Sequence, residues 1–259
     1  MIRLDIHNPF NAPVYHEETV DTTMEVSRLL AKEGAPHGTV ISADFQEAGR
    51  GRIRERKWEM EKGCALAFTI LLRFTSIPTA LGLRAGLAAA LAIEDFAPSL
   101  SGGTLIKWPN DILLPIIHGG KTRVLKLAGI LAEAEGFNAR IGIGVNISQK
   151  QMPDNLRDKA VSLCLATGME YNAGDRFILL EKILLRLRDE IESTDWRERL
   201  EARLYKKGEQ VCFAKGAADS GDMVRGALAG IGPEGELLIT PPGETAALAF
   251  TAGELLFFR

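Results

Sequence analysis

Cysteine is scarce, neither sign of charge dominates, and no apolar run is long. The three cysteines among 259 residues, Cys64, Cys164 and Cys212, are odd in number, far apart and set in apolar sequence. That pattern is neither a disulfide framework nor a zinc site. All three read as inert core thiols, because no adjacent histidine or helix start marks one as a nucleophile. With 31 Lys and Arg against 34 Asp and Glu, the formal net charge is -3, so no global attraction to nucleic acid or anionic membranes exists. The opening MIRLDIHNPF lacks a basic-then-apolar leader, and apolar stretches such as AGLAAALAIEDF meet charge well before a spanning length. Repeats and low-complexity segments are also missing. A soluble, cytoplasmic protein is expected. Its 46% hydrophobic content suffices for the core of one large domain, alone or with a small appendage.

What is there alternates strands and helices. Residues 21–33 carry Met24, Val26, Leu29 and Leu30 at near-helical spacing, with Asp21 as the expected cap and Gly34 as the stop. Residues 38–46 and 64–74 are β-branched, apolar runs bounded by Gly and Pro, hence buried strands. Residues 78–96, rich in alanine and leucine, predict a helix packed closely on a sheet. Short strands at 104–107 and 111–114, a turn at HGGK, and long strands over 124–135 and 139–147 follow. Two successive helices are expected at 176–192 and 195–205. Beyond Gly208, short strands punctuated by turns predict a small all-β unit, with a boundary near 205–208.

Four segments invite chemistry, and each also has a plain structural reading. EAGRGRIRERKW, residues 47–58, sets Arg50, Arg52, Arg54 and Arg56 at alternate positions, with Gly49 and Gly51 on either side of the first. Glycine lets a ligand approach the backbone, and guanidinium forks match phosphate. The alternative is a solvated basic loop partly neutralised by Glu47, Glu55, Glu59 and Glu61. In KWPND, Pro109 breaks the strand after Trp108 and presents Asn110 and Asp111 at a bend, either to polar groups or hydrated magnesium, or as an ordinary turn. In KLAGILAE, Lys126 enters an apolar strand and either snorkels to solvent or directs its ammonium into a site. The glycines of IGIGVNI suggest close approach of a backbone or ligand.

Taken together, VDTTM, QEAGRGR, KWPND, KLAGIL and GIGVNI, in this order and spacing, resemble the biotin protein ligases. These enzymes attach biotin to a lysine of carboxylase carrier domains. The resemblance runs from about residue 14 to 149 and continues more loosely to the C-terminus. It implies an α/β (α+β) fold: a mixed-sheet catalytic domain over residues 1–206, similar to class II aminoacyl-tRNA synthetases, then a small SH3-like β domain over 207–259. With no DNA-binding segment before residue 14, it looks like the short, non-regulatory form.

The implied chemistry uses ATP and Mg2+ to convert biotin into biotinyl-5′-AMP, and a biotin carboxyl carrier domain then takes the acyl group on one lysine. No nucleic acid or membrane partner is implied, and a homodimer is one allowed assembly. By resemblance, Lys126 and Arg52 carry catalysis. Thr22, Thr23, Gln46, Gly49, Arg50 and Lys126 hold biotin. Arg50, Arg52, Trp58, Lys107, Asn110, Asp111, Lys126 and Asn146 hold ATP or the adenylate, and Asp111 is the candidate magnesium ligand. Two departures stand out. Thr22 replaces the usual serine, and the arginine loop is one residue longer, with Glu55 where an inner glycine would lie. Arg50 and Arg52 precede that change. The rivals are a lipoate-type ligase of the same architecture and a ligand-binding or regulatory relative without turnover.

Overall fold

The computed structural model describes residues 1–53, 56–118, 120–215 and 222–256. Two strands precede the first helix, β1 (Ile2–Leu4) and β2 (Val14–Val20), neither of which the hydrophobic pattern predicts. Helix α1 (Thr23–Lys32) is capped by Thr22, not Asp21: the Thr22 hydroxyl accepts from the Glu25 amide at 3.0 Å. Gly34, with φ 86°, follows the helix as expected. Strands β3 (Thr39–Gln46) and β4 (Ala65–Arg73) flank the arginine loop. Helix α2 (Leu81–Phe96) starts later than Pro78, because Ala80 adopts a left-handed conformation, φ 54°. Strands β5 (Leu105–Lys107), β6 (Asp111–His118), β7 (Lys121–Glu135) and β8 (Asn138–Asn146) complete the sheet. β6 is longer than expected. Its Pro115 is tolerated because β5 pairs only with Asp111–Leu113, leaving the rest of β6 as an edge. Gly119 of the expected turn lies outside the described residues.

The large sheet has the order β1-β2-β3-β4-β8-β7-β6-β5. Only β2 and β3 pair in parallel; the other neighbours are antiparallel. Side chains alternate across a strand, and β7 shows the consequence. An added Cβ at Gly82 or Gly86 of α2 would meet Ala132 or Ile130, whereas one at Gly129 would meet Lys126 and Trp58. So α2 covers one face of β7, and the functional residues gather on the other. Met24 of α1 lies on that second face, 3.0 Å from where a Gly142 Cβ would stand.

After β8 come α3 (Leu163–Thr167), α4 (Asp175–Glu192) and α5 (Trp196–Glu201). α5 ends four residues before the expected stop, because Ile106 bonds to this stretch: its amide donates to the Arg203 carbonyl and its carbonyl accepts from the Tyr205 amide. The second sheet joins β9 (Gln210–Ala214), β10 (Met223–Ile231), β11 (Leu237–Thr240), β12 (Leu248–Phe250) and β13 (Glu254–Leu255) in the order β12-β11-β10-β9-β13. It packs on the first unit through Trp108, whose ring lies 5.9 Å from Phe213 and whose Nε1 donates to the Gly235 carbonyl. The cysteines depart from expectation. Cys212 is buried, but Cys64 and Cys164 are half-buried, because each lies beside a segment end rather than within the core. Among the described residues, no helix is long and apolar enough to cross a membrane.

Candidate functional site

The site begins with two glycines on neighbouring strands. Gly129 of β7 faces Gly144 of β8 across the ladder, which leaves a shallow floor without side chains. The arginine loop supplies its cover. The chain folds back on itself: Trp58 N–H donates to the Gly49 carbonyl at 2.9 Å, and Gly51 N–H donates to the Arg56 carbonyl at 2.8 Å. A Cβ at Gly49 would lie 2.6 Å from the Trp58 carbonyl, so this fold-back requires glycine there. The Trp58 indole consequently rests on the floor, 2.6 Å from where a Gly144 Cβ would stand. Its Nε1 is buried with no hydrogen-bond partner among the described residues.

At one end of the cavity, α1 and β3 bring a polar group together. Gln46 Oε1 accepts from the Thr23 amide at 2.9 Å and its hydroxyl at 3.2 Å, while Thr69 Oγ1 donates to Thr23 Oγ1 at 2.8 Å. This fixes Gln46 so that its amide nitrogen remains a donor. Thr22, occupied as the helix cap, keeps its hydroxyl hydrogen for another partner.

The cations lie toward the loop. Lys126 is three residues before Gly129 and in a regular strand would point to the opposite face. A bulge changes that parity: Asp111 pairs with Gly129 but Leu113 pairs with Lys126, so β7 holds one extra residue. Lys126 Nζ then reaches Asp111 Oδ1 at 2.6 Å and stands 5.8 Å from the Trp58 ring centre. The ammonium thus turns toward Asp111 and the cavity, with the side chain one-third exposed. Arg50 also lines the cavity, 3.4 Å from Glu133. Asn110 Nδ2 donates to the Ile130 carbonyl at 3.0 Å, at the bend where a cis Trp108–Pro109 bond turns the chain.

Of the residues expected at the site, Thr22, Thr23, Gln46, Arg50, Trp58, Asn110 and Lys126 line one cavity of about 60 Å³, and Asp111 joins it through Lys126. Four do not line it. Gly49 acts through the fold-back. Arg52 turns away, donating from Nη2 to the Gly253 carbonyl at 2.8 Å, and Arg56 pairs with Glu254 at 2.6 and 2.9 Å. Arg54 and Glu55 lie outside the described residues. Asn146 is buried, with its side chain donating to the Val161 carbonyl and accepting from Gln149. Lys107 is buried, and desolvation pushes its ammonium below the usual lysine range, against the opposing pull of Asp111. Met24, Phe68, Gly129 and Leu131 line the cavity without having been singled out, whereas Gly142 and Gly144, which also line it, are the glycines of IGIGVNI. Gly129 lies within the KLAGILAE segment, whose chemical reading rested on Lys126. Met24 and Phe68 had no signal beyond hydrophobicity. Among the described residues, no three His, Cys, Asp or Glu side chains are grouped to hold a metal.

Residues 17–147 match the model of the biotin/lipoate A/B protein ligase family. The chain is 37% identical over 180 residues to the bifunctional ligase/repressor BirA of Bacillus subtilis, covering 66% of this chain and 51% of that one. It is 32% identical over 241 residues to the biotin–[acetyl-CoA-carboxylase] ligase of Paracoccus denitrificans, covering 86% and 92%. Among solved structures, biotin protein ligase from Aquifex aeolicus in complex with biotin and ATP is similar, with TM-score 0.76, 27% identity, and 95% and 98% coverage. The chain spans about half the length of the Bacillus relatives it matches. A family match across the strands that build this cavity, joined to a full-length likeness in fold, settles membership: the chain belongs to the biotin/lipoate A/B protein ligase family.

Proposed function

We propose that the chain is an ATP-dependent biotin protein ligase that forms biotinyl-5′-AMP and passes the acyl group to a lysine of a biotin carboxyl carrier domain. The observation that carries this reading is the cavity, where the Thr23–Gln46 dyad shares one space with Lys126, Arg50 and an indole lying on glycine. Biotin's ureido ring needs a donor for its carbonyl and acceptors for its N–H groups, and hydroxyl and amide side chains supply both. Lipoate's dithiolane offers no such partners and would leave the Gln46 amide nitrogen without an acceptor, which discriminates against it. Met24, Phe68 and Leu131 provide apolar wall for a thioether ring and acyl chain.

In the first step a biotin carboxylate oxygen attacks the α-phosphorus of ATP, and the bond to pyrophosphate breaks. In the second, the carrier's neutral amine attacks the acyl carbon, the bond to AMP breaks, and the amine proton leaves to water. Charge grows on phosphate and acyl oxygens in both steps, so a fixed cation there lowers the barrier. Lys126 fits this role. An ammonium has three donors, so it can retain Asp111 and still bind an incoming oxyanion. Magnesium is commonly held by one carboxylate plus substrate phosphates, a donor set that Asp111 matches and that would neutralise phosphate charge when the ion is bound. Trp58 is read as the adenine cover. Its cavity is smaller than the roughly 300 Å³ usual for a ligand pocket, so the loop must move as ligand enters.

Residues 207–259 are read as a second unit that restrains the loop rather than supplying chemistry. Gly253 and Glu254 hold Arg52 and Arg56, which supports that role. The test of the whole reading is to mix protein, ATP, magnesium and either biotin or lipoate with a biotin carrier domain and weigh the carrier by mass spectrometry. One added biotinyl group is expected. Addition of lipoyl alone would overturn the substrate, and no addition with either acid would overturn the activity.

A further inference from the structure

Three successive cross-strand pairs share one face of β7 and β8: Gly129 with Gly144, Leu131 with Gly142, and Glu133 with Arg140. The first pair is the floor beneath Trp58. The second borders Met24, whose sulfur lies 3.0 Å from where a Gly142 Cβ would stand. The third ends the floor, replacing small and apolar residues with a charged pair. Its carboxylate reaches in two directions. Glu133 Oε1 lies 3.4 Å from Arg50 Nη2, and Glu133 Oε2 lies 3.6 Å from Arg140 Nη2. One acidic side chain thus stands between the loop arginine that lines the cavity and an arginine fixed on the sheet.

Exposure rises along this row, from 7% for the Arg140 side chain through 33% for Glu133 to 48% for Arg50. A desolvated guanidinium needs anionic partners. The Nε of Arg140 is buried with no hydrogen-bond partner among the described residues, so its anchors are Glu133 and, 3.4 Å away, Glu135. Arg140 therefore holds Glu133, and Glu133 limits where Arg50 can swing. At such exposure the Arg50 contact adds little to stability. What it supplies is direction, because an arginine ordered before the ligand arrives loses less freedom on binding. A guanidinium has five N–H donors, so the contact at Nη2 leaves others for an anion.

We propose that Glu133 is a positioning residue for the ligase reaction: held by Arg140, it aims Arg50 at the anionic end of the bound acid or its adenylate. This inference rests on the ligase reading. Arg50 meets the carboxylate or phosphate oxygens, and Glu133 acts only through Arg50. The row is separable from the fold, since Arg140 keeps Glu135 when Glu133 is altered.

The test is biotin-dependent pyrophosphate exchange at varied biotin and varied ATP. Glu133→Ala should raise the KM for at least one of these two anions about tenfold, within the roughly 10²-fold that a small misplacement can cost. The kcat at saturation should change little, because the contact serves ground and transition states alike. Glu133→Gln keeps an oxygen at the same reach and should restore most of the loss. In an Arg50→Ala background, Glu133→Ala should cost nothing further. Urea unfolding of Glu133→Ala should match that of the wild type. Glu133→Asp keeps the charge beside Arg140 but falls short of Arg50, and it carries the same KM prediction if the alanine protein does not fold. Unchanged KM for both anions overturns the proposal. So does a lower KM, which would show that Glu133 draws Arg50 away from the ligand, and so do additive penalties with Arg50→Ala. If the wild-type protein shows no biotin-dependent exchange, the ligase reading itself has failed.

Discussion

Gly144→Ala tests whether the indole of Trp58 is positioned by the glycine floor. The new Cβ would sit 2.6 Å from two indole carbons and 3.1 Å from a third, where ordinary contact begins at 3.4 Å. The ring must therefore retreat by several tenths of an ångström at least. The strand cannot give way, because Gly144 is paired with Ala67 on one side and Gly129 on the other. Overpacking of this kind costs about 1–3 kcal/mol when the neighbour is fixed, but Trp58 belongs to a loop, so the lower end of that range is expected in urea unfolding. Function should suffer more than stability. If the indole covers the adenine, the KM for ATP in pyrophosphate exchange should rise by about tenfold, equivalent to 1.4 kcal/mol, while biotin binding measured calorimetrically without ATP changes little. The decisive control is the double-mutant cycle with Trp58→Ala. In that background Gly144→Ala has nothing to strike and should cost almost nothing further. Additive penalties would refute the reasoning, since they would show that Gly144 matters for something other than the indole.

Lys126→Ala should slow adenylation by roughly 10²-fold, the usual size for one preorganised electrostatic donor; near-normal pyrophosphate release would remove it from the chemistry. Arg52→Gly cuts the tether to Gly253 and should let the adenylate escape, read as biotin on lysines of a bystander protein; labelling confined to the carrier would refute this. Stability should also depend on pH through His16, whose imidazolium is disfavoured chiefly by burial, Asp44 notwithstanding, so that its pKa lies below the ordinary 6.5. Just under that value the unfolded chain holds a proton that the folded chain does not, so stability falls as pH drops through 6.5. Urea unfolding from pH 7.5 to 5 should show this slope and a flatter one in His16→Gln; parallel slopes would exclude His16 as its source.

The sequence disclosed which segments meet at the site more readily than how each side chain lies there. Thr22, Thr23 and Gln46 are implied only by the family resemblance; the local pattern puts the helix cap at Asp21, whereas Thr22 fills it. Lys126 stayed ambiguous because its direction depends on a bulge, and a bulge leaves no trace in hydrophobic periodicity. The arginines alternate in sequence, but a fold-back replaces any straight strand and sends Arg50 to Glu133 and Arg52 to Gly253. β2 was hidden because its buried face includes His16, whose Nδ1 lies 2.9 Å from Ser42 Oγ and whose Nε2 lies 3.2 Å from Asp44. A polar residue made acceptable by distant partners reads, in sequence, as surface. Asn146 sits in a family motif, and its side chain is held by the Val161 carbonyl and Gln149.

The pairing of β4 with β8 also shapes how the protein comes to be folded. Ala65 lies opposite Asn146, and Arg73 opposite Asn138, so the centre of the sheet closes only after a long intervening stretch of chain has been gathered in. Such distant pairing carries a large loop-closure entropy and slows folding. The cavity straddles that join, taking Thr23, Gln46 and Trp58 from segments before or leading into β4, and Lys126, Gly129 and Gly144 from β7 and β8. Ligand affinity can therefore arise only late, once both halves have met. A bound ligand then opposes their separation, adding about 2.7 kcal/mol to global stability at a hundredfold excess over Kd, so it acts as a clasp between the two halves of the sheet.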